Sequence, residues 1–163
     1  MDKYGISKVK AIVEGGKERY HSVFEGLKQT SDADYVLIHD GARPFVNQDF
    51  IRRCMQEVQK YQACVVGMPV KDTIKIADEE GYAKQTPDRK NVWMIQTPQT
   101  FSYALIYEAY EEMLKTEDTA ITDDAMVLER IKGKKSKLIE GSYRNIKITT
   151  PEDLLIANVY LQH

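Results

Sequence analysis

Cysteine, histidine, tryptophan and proline are all scarce here, and each scarcity removes a class of protein. The two cysteines, Cys54 and Cys64, form no CxxC pair and are too few to staple a chain of 163 residues. A reduced, cytosolic protein is expected. The three histidines, His21, His39 and His163, show no metal-ligand spacing, and GxSxG, HExxH and Walker A motifs are all missing. Neither cysteine has a nearby histidine to activate it, so both read as buried structural thiols. No apolar run approaches a membrane span, and the first twenty residues hold no signal-peptide core. Charge of one sign is lacking as well: 23 basic and 25 acidic side chains leave −2. That balance argues against a nucleic-acid or membrane partner while leaving room for a local basic pocket.

What is present is an ordinary core-forming composition, 42% hydrophobic and 29% charged. No repeat, low-complexity tract or Pro/Ser-rich linker divides it, so residues 1–163 are read as one domain. Short β-branched runs alternate with helical periodicity. Lys10 to Val13 reads as a strand ending at Glu14-Gly15-Gly16. Tyr20, Val23, Phe24 and Leu27 mark one face of a helix. Tyr35 to His39 is a buried strand, and Phe50, Ile51, Cys54, Met55 and Val58 mark a second helix. Ala63 to Gly67 is a third strand. This β-α-β-α-β order predicts an α/β fold with a doubly wound, mostly parallel sheet, in which ligands bind beyond the strands' carboxyl ends.

The pattern changes at about residues 71–96. Thr73 to Ile76, the polar Asp78-Glu79-Glu80-Gly81, and Tyr82 to Gln85 predict a β-hairpin arm protruding from the core. A two-stranded hairpin is marginal alone, so a second subunit is expected to cover it. Further on, Ser102 and Thr122 read as helix N-caps, and Asp123 and Asp124 suit the dipole of the second. Lys137 to Glu140 and Asn145 to Ile148 read as short strands. Thr150-Pro151-Glu152-Asp153 opens a last helix, with Leu154, Leu155, Asn158, Val159 and His163 along one side.

Several residues could carry chemistry. Asp40-Gly41-Ala42-Arg43-Pro44 sets a carboxylate and a guanidinium just past a buried strand. It reads equally well as a ribose- and phosphate-facing loop or as a plain turn. Arg89, after Thr86-Pro87-Asp88, reads as a phosphate clamp or a solvated loop arginine. Thr97-Pro98-Gln99 either presents a hydroxyl and an amide or makes a turn. Thr122 serves a helix cap and is compatible with polyol binding. Lys147 is a phosphate ligand or an edge-strand lysine.

Taken together, Glu14-Gly15-Gly16-Lys17-Glu18-Arg19-Tyr20-His21-Ser22, His39 to Pro44, Pro69 to Lys75, Thr86 to Arg89, Gln96 to Gln99, Ile121 to Asp124 and Asn145 to Thr149 resemble the 2-C-methyl-D-erythritol 4-phosphate cytidylyltransferase family. The resemblance runs over nearly the whole chain. It implies a Rossmann-like sheet of the nucleotidyltransferase type and transfer of CMP from CTP to the polyol phosphate, with pyrophosphate released. It implies Mg²⁺, bound mainly through the CTP phosphates with Asp40 on the metal side. Gly16 and Ser22 would lie at the cytosine and Asp40 near the ribose. Arg43, Thr122 and Lys147 would face the sugar phosphate. Arg89 and Thr97 would reach it from the partner subunit's arm, which implies a homodimer. Lys17 stands where some relatives carry an acid. Lys147, Arg89 and Asp40 are the expected catalytic residues. Ribitol 5-phosphate cytidylyltransferase, a non-catalytic dimerising fragment and a receiver-like domain are the other readings.

One departure from the family pattern is large. The strand and Gly-rich loop that cradle the triphosphate find no counterpart, and about sixty residues in two βα units would carry them. The resulting expectation is that these 163 residues alone turn over little or no substrate.

Overall fold

The computed structural model describes residues 2–116 and 120–162. Its central sheet has the order β1-β5-β2-β6, formed by β1 (Tyr35–Ile38), β2 (Ala63–Pro69), β5 (Trp93–Ser102) and β6 (Lys137–Glu140). β5 runs antiparallel to both β1 and β2, and β6 pairs parallel with β2. Three of the four strands therefore point the same way, as the α/β reading requires, and β5 is wedged between them in reverse.

Helices cover both faces of this sheet. Alternation along β2 shows why: Ala63 and Val65 point into one cluster, Cys64 and Val66 into another. The first cluster joins Val36, Val65 and Phe101 to α1 (Arg19–Lys28), α3 (Tyr103–Met113) and α4 (Asp124–Lys132) through Tyr20, Leu27, Ile106, Tyr110, Val127 and Leu128. The second lies under α2 (Gln48–Tyr61) and contains Cys54 and Val58. Both cysteines are free and fully buried, as expected of structural thiols. On the helix faces anticipated for α1 and α2, Tyr20, Leu27, Phe50, Cys54 and Val58 are buried, Val23, Phe24 and Met55 are half-buried, and Ile51 is exposed.

Local signals set the element ends. Asn47 accepts the Phe50 N–H at 3.0 Å to start α2, and Gln62 stops it in the left-handed region. Asp123, not Thr122, caps α4, accepting the Met126 N–H at 2.8 Å. A carboxylate there also satisfies the helix dipole, and the Thr122 hydroxyl instead turns to the Met126 sulfur. Ser102 precedes α3, but its side chain makes no capping bond. Thr150 and Asp153 form a capping box at α5 (Pro151–Leu161), with Pro151 in the first turn.

Two expected strands are not formed. Lys10 to Val13 is not a strand, and Ile12 is exposed. Among the described residues no neighbouring strand takes up its backbone groups, and an unpaired strand has nothing to stabilise it. Residues 145–148 also form no strand; one ladder-like bond, Ile148 N–H to Ala42 O at 2.8 Å, holds them beside the loop after β1. The apolar side chains of α5 lie open: Leu154, Leu155 and Val159 are exposed and only Ala157 is buried. His163, assigned to that side, lies outside the described residues.

The hairpin arm is present. β3 (Ile76–Ala77) pairs antiparallel with β4 (Ala83–Gln85), and both are exposed. Asp78 Oδ1 accepts the N–H groups of Glu80 and Tyr82, and Gly81 supplies the positive φ of 88° that closes the turn.

Candidate active site

Just beyond the carboxyl end of β1, a polar cleft of about 160 Å³ opens between the Asp40 loop, β5, the start of α4 and residues 145–148. Asp40 is its centre. Its Oδ1 lies 3.3 Å from Arg19 Nε, and its Oδ2 lies 3.0 Å from Lys147 Nζ and 3.9 Å from Arg43 Nε. Burial pushes the Asp40 carboxyl up, but the Lys147 hydrogen bond and the Arg19 charge outweigh it, so its pKa falls below the usual value.

Arg43 is fixed from behind, donating from Nη1 to the Asn145 carbonyl at 2.7 Å. Its Nε is buried and has no hydrogen-bond partner, and burial draws its pKa down against the opposing pull of Asp40. A buried N–H without an acceptor costs about 1–3 kcal/mol, and an anionic ligand in the cleft removes that cost. Lys147 is the most exposed of the three cations and reaches Asp40 from the cleft mouth.

Behind these residues stands a second layer that the sequence reading missed. Arg19 also grips Asp124 with both terminal nitrogens, at 2.9 and 2.8 Å, and Tyr110 donates its hydroxyl to the same carboxylate at 2.6 Å. Asp124 is completely buried. Its grip holds the Arg19 pKa above an already high value, despite burial, while burial and then Asp124 raise that of Tyr110. Gln99 donates to Asp123 Oδ2 and accepts the Ala125 N–H, both at 2.9 Å, tying β5 to α4. Asn145 donates to the Thr97 carbonyl at 2.9 Å and to Gln96 Oε1 at 3.2 Å. Acidic Asp124 already had a sufficient explanation as a first-turn acid, and its partner lies 105 positions away, so only the excess of polar residues around β5 hinted at this network.

Of the residues singled out in the sequence, Asp40, Arg43, Thr97, Thr122 and Lys147 all line this cleft. Thr97 does so from the middle of β5, in the central sheet and not on the hairpin arm. It is buried, and its hydroxyl receives the Asp40 N–H at 3.1 Å. Gly16 and Ser22 sit together a little apart, with the Gly16 N–H donated to Ser22 Oγ at 3.0 Å. A side chain at Gly16 would place its Cβ 2.2 Å from His21 Cβ, so only glycine fits. Ser22 lines a larger, mostly apolar groove of about 650 Å³ between α1 and β1, which shares Arg19 and Asp40 with the cleft. Arg89 is not in the cleft; its guanidinium lies on the exposed arm, donating to the Lys71 carbonyl at 2.7 Å.

Among the described residues no group of three His, Cys, Asp or Glu side chains could hold a metal. Both Asp123 oxygens accept from protein donors, and both Asp40 oxygens face cations, Oδ1 toward Arg19 and Oδ2 toward Lys147. No helix is long and apolar enough to cross a membrane, again among the described residues.

A helix-flanked sheet carries a cation-lined cleft just past the carboxyl end of β1, where α/β folds of this kind bind ligands. The profile of 2-C-methyl-D-erythritol 4-phosphate cytidylyltransferase matches residues 4–163. The chain is 53% identical over 158 residues to the protein of that name from Lachnospira eligens, covering 96% of this chain and 70% of the relative. Among solved structures, it is similar to 4-diphosphocytidyl-2C-methyl-D-erythritol synthase from Anaerococcus prevotii, with a TM-score of 0.87 and 42% identity over 93% of this chain and 67% of that one. The Thermus thermophilus 2-C-methyl-D-erythritol 4-phosphate cytidylyltransferase gives 0.84 and 33% over 98% and 79%. The chain belongs to the 2-C-methyl-D-erythritol 4-phosphate cytidylyltransferase family.

Proposed function

We propose that the Asp40 cleft is where this chain takes part in cytidylyl transfer to 2-C-methyl-D-erythritol 4-phosphate. A phosphate oxygen of the polyol phosphate attacks the α-phosphorus of CTP. The bond from that phosphorus to the bridging oxygen breaks, and pyrophosphate leaves with the electron pair. The observation that carries this reading is the convergence of Arg19, Arg43 and Lys147 on one carboxylate, with Arg43 Nε buried and without a hydrogen-bond acceptor. Such a site offers fixed positive charge to a phosphate without reorganisation, which is how positioning and electrostatics lower a phosphoryl-transfer barrier.

In this reading Arg43, Lys147 and Thr122 hold the sugar phosphate, and Thr97 shapes the cleft floor. Lys147 leaves Asp40 for the phosphate and meets the charge that develops at the reacting oxygens. Asp40, freed on that side, faces the ribose and the metal side of the nucleotide. Gly16 and Ser22 flank the cytosine. Magnesium, when bound with the nucleotide, neutralises phosphate charge. Arg89 acts across a homodimer formed through the arm, which supplies the cover that two exposed strands lack. The setting is cytoplasmic, and the whole of 1–163 works as one domain.

Calorimetric titration with 2-C-methyl-D-erythritol 4-phosphate and, in parallel, ribitol 5-phosphate tests the reading. Preferential binding of the former is expected; equal binding of both, or of neither, overturns it.

A further inference from the structure

Thr97 has one hydroxyl proton, and its surroundings decide where that proton points. The Asp40 N–H can only donate, and it does so to Thr97 Oγ1 at 3.1 Å. The other partner of that oxygen is His39 Nδ1, at 3.0 Å. On the far side of the ring, His39 Nε2 lies 3.0 Å from the Arg43 carbonyl, which can only accept. Nε2 therefore carries a proton. With Nδ1 bare, the Thr97 O–H donates to it and every group in the chain is paired. With a second proton on Nδ1, the hydroxyl hydrogen of this buried threonine is left without an acceptor within the relay.

We infer that His39 is a positioning residue for transfer. Its neutral, Nε2-protonated ring clamps both ends of the loop that carries Asp40 and Arg43: the Asp40 amide through Thr97, the Arg43 carbonyl directly. The relay runs Asp40 N–H to Thr97 Oγ1, Thr97 O–H to His39 Nδ1, His39 Nε2–H to Arg43 O. It anchors that loop to β5 at the point where Asp40 meets Lys147 and the Arg43 guanidinium turns to the Asn145 carbonyl. A consequence follows for Thr97. A phosphate oxygen carries no hydrogen, so it competes with His39 for the single Thr97 proton. In the free cleft that proton belongs to His39, and Thr97 acts through the loop rather than as a ready phosphate donor.

The clamp bears on transfer only if the cleft takes the sugar phosphate, as proposed above, whereas the state of the ring is independent of that. Long-range ¹H–¹⁵N NMR of the 163-residue chain, in mildly alkaline buffer where imidazole is ordinarily neutral, reads the ring directly. The expected signature is a proton fixed on Nε2 and a hydrogen-bonded Nδ1 whose resonance moves in Thr97→Val. A proton on Nδ1, or an Nδ1 resonance indifferent to Thr97→Val, overturns the relay. Calorimetry with 2-C-methyl-D-erythritol 4-phosphate then reads the positioning. His39→Phe and Thr97→Val are each expected to weaken binding roughly tenfold, as loss of one buried hydrogen bond implies, with the double variant no weaker than the worse single and Thr97→Ser restoring most of it. Undiminished binding by His39→Phe, or additive losses in the double variant, contradicts the positioning role. If the unaltered chain binds no sugar phosphate, the phosphate reading fails, and the ring signature still decides the relay.

Discussion

Replacing Asp124 by asparagine cuts the tie between the core and the cleft. Its carboxylate is fully buried and receives three hydrogen bonds, two from Arg19 and one from Tyr110. Breaking a fully buried ion pair costs about 3–5 kcal/mol. The Arg19 side chain is 36% exposed, so water recovers part of that. A loss of about 2–3 kcal/mol is expected, or roughly 5–10 °C in melting temperature for a chain of this size. Tyr110→Phe removes one bond to a charged acceptor and should cost about 1.5 kcal/mol. Because both act on the same carboxylate, the double variant should fall short of the sum by about 1 kcal/mol. Urea denaturation of the four proteins, with unchanged m-values, gives these numbers. If Asp124→Asn unfolds within ~0.5 kcal/mol of the parent, the buried network does not hold the cleft's back wall.

Two further outcomes are expected from the same geometry. Gly16→Ala puts a methyl group 2.2 Å from His21 Cβ, so it should displace the turn before α1 and destabilise by about 1–3 kcal/mol, measured by denaturant unfolding. Asp40 has a depressed folded pKa, so its contribution is complete above the unfolded value near 3.9 and is lost as pH falls through the lower folded one. Asp40→Asn should therefore be less stable than the parent at neutral pH, with the gap closing in acid; a gap independent of pH would remove the ion-pair explanation.

How much of this could be read from residues alone differs by element. α1 and α2 announce themselves through helical periodicity, and β1 and β2 through short continuous apolar runs. β5 does not. Its buried positions include Gln96, Thr97, Gln99 and Thr100, polar residues that usually mark a surface. Partners from distant segments meet three of them: Gln99 is satisfied by α4, and Gln96 and Thr97 by Asn145 and the Ser142 carbonyl, whereas the Thr100 hydroxyl is buried without a hydrogen-bond partner. Long-range hydrogen bonding of this kind leaves no period in a sequence. The cleft was legible to the extent that its cations and Asp40 fall in short motifs. Arg19 stood inside one of those motifs without a role, since its role depends on Asp124. Thr97 sits in the sheet rather than on the arm because the position of β5, and hence which cleft it lines, is set by its pairing with β1 and β2.

The most direct test of the central claim is the affinity of 2-C-methyl-D-erythritol 4-phosphate for the Arg43→Gln and Lys147→Ala variants, measured by calorimetry beside the parent. If the Asp40 cleft is the phosphate site, each variant loses a charge-assisted hydrogen bond worth about 1.5–3 kcal/mol, and binding weakens by roughly tenfold or more. Parent-like affinity in both variants, with the fold intact, would contradict it.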